Sequence, residues 1–119
     1  MKDRFLIKLC GVRSTAGANA CVAANVDFAG LNFVSGRSRC VDASTAVSLV
    51  KELGAVTAVG VFQNQSADEV ARVADQVGLH WVQLHGDESA DEVAALADRF
   101  SVIKAITAAT ARDQNAVDG

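Results

Sequence analysis

The sequence has no proline and no tyrosine, and its only aromatic residues are five phenylalanines and one tryptophan. The core must therefore be built from alanine, valine, leucine and isoleucine. Cysteine is also scarce. The three cysteines form no CxxC pair, and no histidine stands at metal-ligand spacing from them. This pattern supports neither a disulfide framework nor a zinc site. We accordingly expect no bound metal.

Long hydrophobic runs and clusters of basic charge are missing too. No apolar run approaches the roughly 18 residues that a membrane helix needs, and the charged opening is not followed by the apolar region of a secretory signal. Eleven Lys and Arg stand against 14 Asp and Glu, and no basic stripe forms that would pair with a phosphate backbone. We therefore expect a cytoplasmic protein with neither nucleic acid nor membrane among its partners.

The composition that remains is globular. Half of the 119 residues are hydrophobic (50%) and 21% are charged, which excludes the disordered class. Domains typically contain about 50 to 250 residues, so the length fits one domain or part of one. We expect residues 1–119 to form a single, partial domain.

Apolar and helical segments alternate along the chain. Nearly continuous apolar runs, typical of parallel strands covered on both faces, occupy 5–10, 28–33, 58–62, 81–85 and 102–106. Helical spacing of apolar residues fills the gaps over 16–24, 43–50, 66–77 and 89–100. Ser66 and Ser89 each precede a glutamate by three residues, which predicts two capping boxes. Residues 107–119 indicate the beginning of a fifth helix.

This order of strands and helices fits two architectures. Parallel strands need crossovers through packed helices, and both a (β/α)8 TIM barrel and a flavodoxin-like doubly wound sheet use such units. A flavodoxin-like receiver would need an acidic pair after the first strand and an aspartate after the third, where Cys10-Gly11 and Gln63-Asn64 stand instead. In either architecture ligands bind at the carboxyl ends of the strands.

The motifs at the successive strands occur in an order that resembles a known family. They are Lys8-Leu9-Cys10-Gly11, Gly30-Leu31-Asn32-Phe33 with Ser38-Arg39-Cys40-Val41, Val59-Gly60-Val61-Phe62, Val82-Gln83-Leu84-His85-Gly86-Asp87-Glu88 and Ile103-Lys104-Ala105. Together they resemble phosphoribosylanthranilate isomerase of tryptophan biosynthesis. The resemblance implies the N-terminal five strands and four helices of a (β/α)8 barrel, truncated, because a full barrel needs about 200 residues or more.

The resemblance also implies a reaction and its residues. Members of the family convert N-(5-phosphoribosyl)anthranilate to 1-(2-carboxyphenylamino)-1-deoxyribulose 5-phosphate by an Amadori rearrangement that needs no cofactor. By this resemblance Cys10 is the catalytic base, Arg39 binds the anthranilate carboxylate through two parallel hydrogen bonds, and Gln83 and His85 line the substrate pocket. A cysteine acts as a base in its thiolate form, which the N-terminus of the following helix favours.

Each of these residues also has an interpretation in which it neither catalyses a reaction nor binds a ligand. Cys10 on its own fits a small buried hydrophobic residue, and Arg39 fits a solvated surface arginine. Gln83 and His85 fit a hydrogen-bonded pair inside a polar barrel layer. The chain as a whole then becomes a non-catalytic half-barrel or a flavodoxin-like interaction module.

The neighbouring charges are expected to be structural. Asp87 and Glu88 are expected to cap the helix that follows them, and Lys8 and Lys104 must be paired because they lie within strands. The family's acidic aspartate on the sixth strand and its phosphate-binding loops fall outside the 119 residues, so we expect the isolated chain to be inactive. Bare edges at strands 1 and 5 would invite self-association or a complementing chain.

Overall fold

The structure is a computed structural model that describes residues 6–34 and 40–104. Its elements in chain order are β1 (Lys8–Leu9), α1 (Thr15–Ala24), β2 (Phe28–Asn32), α2 (Ala43–Leu53), β3 (Thr57–Phe62), α3 (Ala67–Val77), β4 (Trp81–Leu84), α4 (Ala90–Ala97) and β5 (Ser101–Lys104). The predicted alternation is confirmed for this part of the chain. None of the described helices has both the length and the apolar character to cross a membrane. The fifth helix predicted in 107–119 lies outside the described residues.

The order of the strands in the sheet decides between the two architectures. All four strand pairs are parallel, and the sheet runs β1-β2-β3-β4-β5. A flavodoxin-like sheet would instead run 2-1-3-4-5. Right-handed crossovers that always advance in one direction place every helix on the same face, and the described helices contact each other in sequence order. The sheet is therefore of the barrel type, and the doubly wound alternative is wrong.

The core lies between the helices and one face of the sheet. Alternate strand residues point to the same face, and the sheet side of this core consists of Ala29, Leu31, Phe33, Phe62, Val82 and Leu84. The Phe33 and Phe62 rings stack with their centroids 5.3 Å apart. Cys21 of α1 is fully buried in the same layer, and burial raises the pKa of its thiol. The apolar residues of the core thus fix the strands to their helices.

The opposite face of the sheet carries the strand residues that alternate with the core. At the amino-terminal end of the strands, the rings of Phe28 and Trp81 meet edge to face, 5.1 Å apart. Val59 is fully buried in the middle of this face. Polar side chains follow toward the carboxyl ends, where the candidate site lies.

Polar side chains begin each helix. The N-cap residues, whose side chains accept a backbone N–H from three residues further on, are Ser14, Asp42, Ser66 and Ser89. The complete capping box predicted at Ser89 is confirmed, because Glu92 accepts from the Ser89 N–H at 3.1 Å. At Ser66 the structure shows only the half in which the serine accepts from Glu69, whose side chain is exposed to solvent. The prediction of a full box was wrong there.

The first strand is shorter than the apolar run 5–10 predicted. Its ladder contains Lys8 and Leu9, and the residue before it is held by Asp27, whose carboxylate accepts from the Ile7 N–H at 2.7 Å. Beyond Leu9 the chain turns at Gly11, which has a φ of 77°. Leu6, Ile7 and Leu9 are 69%, 51% and 41% exposed. An apolar edge of the sheet is therefore open in the described structure.

Candidate functional site

A pocket of about 230 Å³ lies at the carboxyl ends of the strands. It is lined by Cys10, Gly11, Asn32, Val34, Val61, Gln63, Gln83 and His85. These residues come from the ends of the first four strands or the loops after them, so the barrel topology alone brings them together. One thiol, three carboxamides and one imidazole surround two valine side chains. Such a pocket combines apolar side chains with several groups able to donate or accept hydrogen bonds.

Cys10 stands at the mouth of this pocket. It is exposed, so the interpretation as a buried hydrophobic residue is wrong for Cys10 and describes Cys21 instead. The opposing residue on β2 is Gly30, where a Cβ atom would lie 3.3 Å from Cys10 Cα. The Val12 N–H donates to the Gly30 carbonyl at 3.1 Å, which holds the turn after Cys10 against β2. Gly30 therefore allows the backbone of Cys10 to lie close to the second strand.

Gln83 lies in β4 and His85 directly follows that strand, and both line the same pocket. Gln83 is 8% exposed, and its Oε1 accepts from Lys8 Nζ across the sheet. This bond pairs Lys8 as expected, and it replaces the alternative in which Gln83 bonds His85. The His85 side chain is exposed, while its backbone N–H donates to the Phe62 carbonyl at 2.8 Å. Both residues are placed where a ligand would contact them, and their binding roles stay predictions.

Arg39 and Asn32 are two further residues that concern the predicted site. Arg39 lies outside the described residues, so its role as a carboxylate ligand stays a prediction. Asn32 lines the pocket but was not singled out from the sequence. Its Oδ1 accepts from the Val34 N–H at 2.8 Å, which turns the chain at the end of β2. The signal that would have found Asn32 is a polar side chain inside an apolar strand, a placement that requires a partner.

The expectation that Glu88 caps α4 is wrong, because Ser89 is the N-cap of this helix. The Glu88 side chain is 2% exposed and bonds Lys104 Nζ at 2.8 Å. The same carboxylate accepts the backbone N–H of Asn64 at 2.8 Å and of Gly86 at 3.0 Å. Burial raises the pKa of Glu88, but the bonds to Lys104, Asn64 and Gly86 outweigh it and hold the pKa below its ordinary value. Glu88 is therefore ionised at neutral pH and paired with the expected cation of β5.

The described part of the chain contains no group of three or more His, Cys, Asp or Glu residues that could hold a metal ion. The family model for N-(5'-phosphoribosyl)anthranilate isomerase matches residues 7–118 of the chain. The chain belongs to this family.

Several relatives in the N-(5'-phosphoribosyl)anthranilate isomerase family carry that name. The protein from Neisseria meningitidis serogroup C is 41% identical over 113 residues, which cover 93% of this chain and 53% of the relative. The protein from Ralstonia pickettii is 45% identical over 86 residues, which cover 71% of this chain and 37% of the relative. The chain thus spans about half the length, or less, of these family members.

Solved structures of the family show the same fold. Phosphoribosyl anthranilate isomerase from Thermotoga maritima superposes with a TM-score of 0.88 at 31% identity, covering 96% of this chain and 56% of that one. A second structure of the isomerase contains reduced 1-(o-carboxyphenylamino)-1-deoxyribulose 5-phosphate. It also superposes with a TM-score of 0.88 at 31% identity, and this chain covers 59% of it. The five described strands therefore correspond to about half of a family barrel.

Proposed function

We propose that the protein containing this sequence is a phosphoribosylanthranilate isomerase of tryptophan biosynthesis. Its substrate is N-(5-phosphoribosyl)anthranilate and its product is 1-(2-carboxyphenylamino)-1-deoxyribulose 5-phosphate. The observation that carries this proposal is the meeting of Cys10, Gln83 and His85 in one pocket at the strand ends. Family membership supports the same assignment.

In the proposed reaction Cys10 moves the proton that isomerises the sugar. An acid first protonates the ring oxygen, and the opened sugar becomes a protonated imine at carbon 1. The Cys10 thiolate then removes the proton from carbon 2; the electron pair of that bond forms the double bond between carbons 1 and 2, and the imine electrons move to nitrogen. Return of a proton to carbon 1 and loss of the enol proton give the ketone. Carbon 1 is reduced as carbon 2 is oxidised, so no cofactor is required.

The other pocket residues fit substrate binding. The exposed His85 side chain and the carboxamides of Gln83 and Asn32 can donate hydrogen bonds to the polar atoms of an opened sugar. Arg39 is proposed to bind the anthranilate carboxylate, for which a planar guanidinium is suited. The acid that protonates the ring oxygen is proposed to come from the other half of the barrel. We therefore expect the 119 residues alone to bind substrate-like molecules without turning them over.

The proposal is tested with the chain alone and with a complementing half-barrel. Calorimetry measures whether the chain binds reduced 1-(o-carboxyphenylamino)-1-deoxyribulose 5-phosphate, the compound in the related structure. Turnover is measured after the chain is mixed with the carboxy-terminal half of the Thermotoga maritima enzyme. Cys10→Ala should lower the turnover of the mixture by about 100-fold or more, whereas Cys40→Ala, which removes an exposed thiol outside the pocket lining, should not.

Two outcomes would contradict the proposal. Equal turnover for Cys10→Ala and the unaltered chain would remove Cys10 from the role of base. Absence of analogue binding both with and without the complementing half would refute the proposed function as a whole.

We also propose that the open edges of the sheet receive a complementing chain or a second copy. Within residues 6–34 and 40–104, β1 pairs only with β2 and β5 only with β4. Unpaired backbone groups beside the exposed Leu6, Ile7 and Leu9 favour association. Sedimentation velocity should show larger species as the concentration rises, or a complex with the added half-barrel. A monomer under both conditions would contradict this proposal.

We also propose that the protein is located in the cytoplasm. Cys10, Cys21 and Cys40 are all free thiols, and free thiols are stable in a reducing compartment. Fractionation of cells that express the tagged protein should recover it with cytoplasmic markers. Recovery with membranes or in the medium would contradict the location.

A further inference from the structure

The loops after β3 and β4 are joined by one buried carboxylate. Glu88 Oε2 accepts the Asn64 N–H at 2.8 Å, and Glu88 Oε1 accepts the Gly86 N–H at 3.0 Å. Lys104 of β5 bonds Glu88 at 2.8 Å and also donates to the Gly86 carbonyl. The end of the fifth strand is thereby tied to both loops.

The two bound residues are direct neighbours of two pocket residues. Asn64 follows Gln63, and Gly86 follows His85, and both Gln63 and His85 line the pocket. Glu88 itself does not line the pocket. A hydrogen bond to the backbone of the next residue restricts the backbone position from which each pocket side chain extends.

We propose that the Glu88–Lys104 pair is a positioning device that fixes Gln63 and His85 at the rim of the pocket. This inference rests on the proposed function for the identity of the ligand, but not for the positions of the two side chains. Glu88 and Lys104 are thus positioning residues, whereas a catalytic role belongs to groups that touch the substrate.

The packing of the two loops leaves little room for another arrangement. Asn64 has a left-handed φ of 61°, and its Oδ1 accepts the Asp87 N–H at 2.7 Å, which forms a second link between the loops. A Cβ atom at Gly86 would lie 2.4 Å from the same Oδ1. Removing the Glu88 carboxylate would leave two backbone N–H groups without their acceptor and would leave Lys104 with the Gly86 carbonyl as its remaining partner among the described residues. Leaving polar groups unsatisfied costs more than the bonds themselves contribute.

The test compares Glu88→Gln with a matched control. Asp75→Asn breaks an ion pair of similar length, Asp75–Arg99 at 2.6 Å, whose side chains are about half exposed and lie outside the pocket lining. Backbone amide exchange and the chemical shifts of Gln63 and His85 are measured by NMR on the full 119-residue chain. Affinity for the reduced product analogue is measured on the same samples. Lys104→Met and Lys104→Arg are measured as a second pair in case Glu88→Gln does not fold.

For Glu88→Gln and Lys104→Met we expect amide exchange at Asn64 and Gly86 to accelerate by about tenfold or more, a typical effect of losing a charged hydrogen bond. The shifts of Gln63 and His85 should change, and the analogue should bind about tenfold more weakly. Asp75→Asn should leave the exchange rates, the shifts and the affinity unchanged. Lys104→Arg should keep most of the values of the unaltered chain because it retains the charge.

Unchanged shifts of Gln63 and His85, together with unchanged amide exchange at Asn64 and Gly86, in folded Glu88→Gln or Lys104→Met would overturn the inference, even if the variant were less stable. The proposed function fails separately, if the unaltered chain and its complemented form bind no analogue. In that event the NMR measurements still decide whether the pair positions the two side chains.

Discussion

Replacing Gly86 by alanine tests the close packing between the loops after β3 and β4. The new Cβ would lie 2.4 Å from Asn64 Oδ1 and 3.0 Å from the Asn64 backbone nitrogen. Ordinary contacts begin near 3.4 Å, so the carboxamide must move by about 1 Å. That movement breaks its 2.7 Å bond to the Asp87 N–H, and the Asn64 backbone cannot retreat freely because Glu88 holds it.

The expected cost is worked out from these contacts. Overpacking costs about 1 to 3 kcal/mol and a lost hydrogen bond about 1 kcal/mol, while the stiffer unfolded chain returns about 0.4 to 1 kcal/mol. Gly86→Ala should therefore lower the free energy of unfolding by about 1 to 3.5 kcal/mol. Urea titration followed by the fluorescence of Trp81, the only tryptophan, measures it.

Gly17→Ala is the matched control because it makes the same chemical change in a different setting. Gly17 lies within α1, and a Cβ there would make only ordinary contacts, the nearest being Val12 Cγ1 at 3.5 Å. It should raise the free energy of unfolding by about 0.5 to 1 kcal/mol. In an Asn64→Gly background, which removes the clashing carboxamide, Gly86→Ala should cost less than in the unaltered chain. An equal or higher urea midpoint for Gly86→Ala alone would refute the reasoning.

Three further predictions concern stability. Phe62→Ala should lower the free energy of unfolding by about 3 to 5 kcal/mol, because the ring is fully buried and stacks on Phe33; a urea titration that finds under half of this would contradict the packing. The pKa of Glu88 is lowered on folding, so its stabilising contribution is present at neutral pH and lost as the pH falls through that lowered pKa. Urea titrations from neutral to acid pH should show this loss, and Glu88→Gln should reduce it; identical profiles would exclude Glu88 as its source. Ser89→Ala should cost about 1 kcal/mol by removing the cap of α4, and an unchanged midpoint would show that the cap contributes little.

The elements of the fold were predictable from local patterns, but their arrangement was not. Apolar runs and serine caps placed the strands and helices because both depend on residues close in the chain. The same runs fit a doubly wound sheet, since a strand's composition does not say which strand lies beside it. The sequential order became certain only with the register, in which Asn32 lies opposite Val61 and Val61 opposite Gln83.

The candidate site was predictable where a residue stands at the end of a strand. Cys10, Gln83 and His85 follow that rule, and the structure places all three around one pocket. Glu88 does not follow it, because its position beside Ser89 resembles that of a capping residue. Its partner Lys104 is 16 residues away and reaches it only when β4 and β5 pair. A lysine inside a strand signals that an acid must be near but does not say which one.

The sequential order of the sheet has a consequence for how the chain is made. Every described strand after the first pairs with the strand that precedes it in the sequence. A ribosome therefore releases each strand when its neighbour is already available, and pairing can follow synthesis from the amino terminus without waiting for a distant segment. Interrupted translation of such a chain would leave a smaller sheet that ends at the last strand made, and the next strand would extend that border.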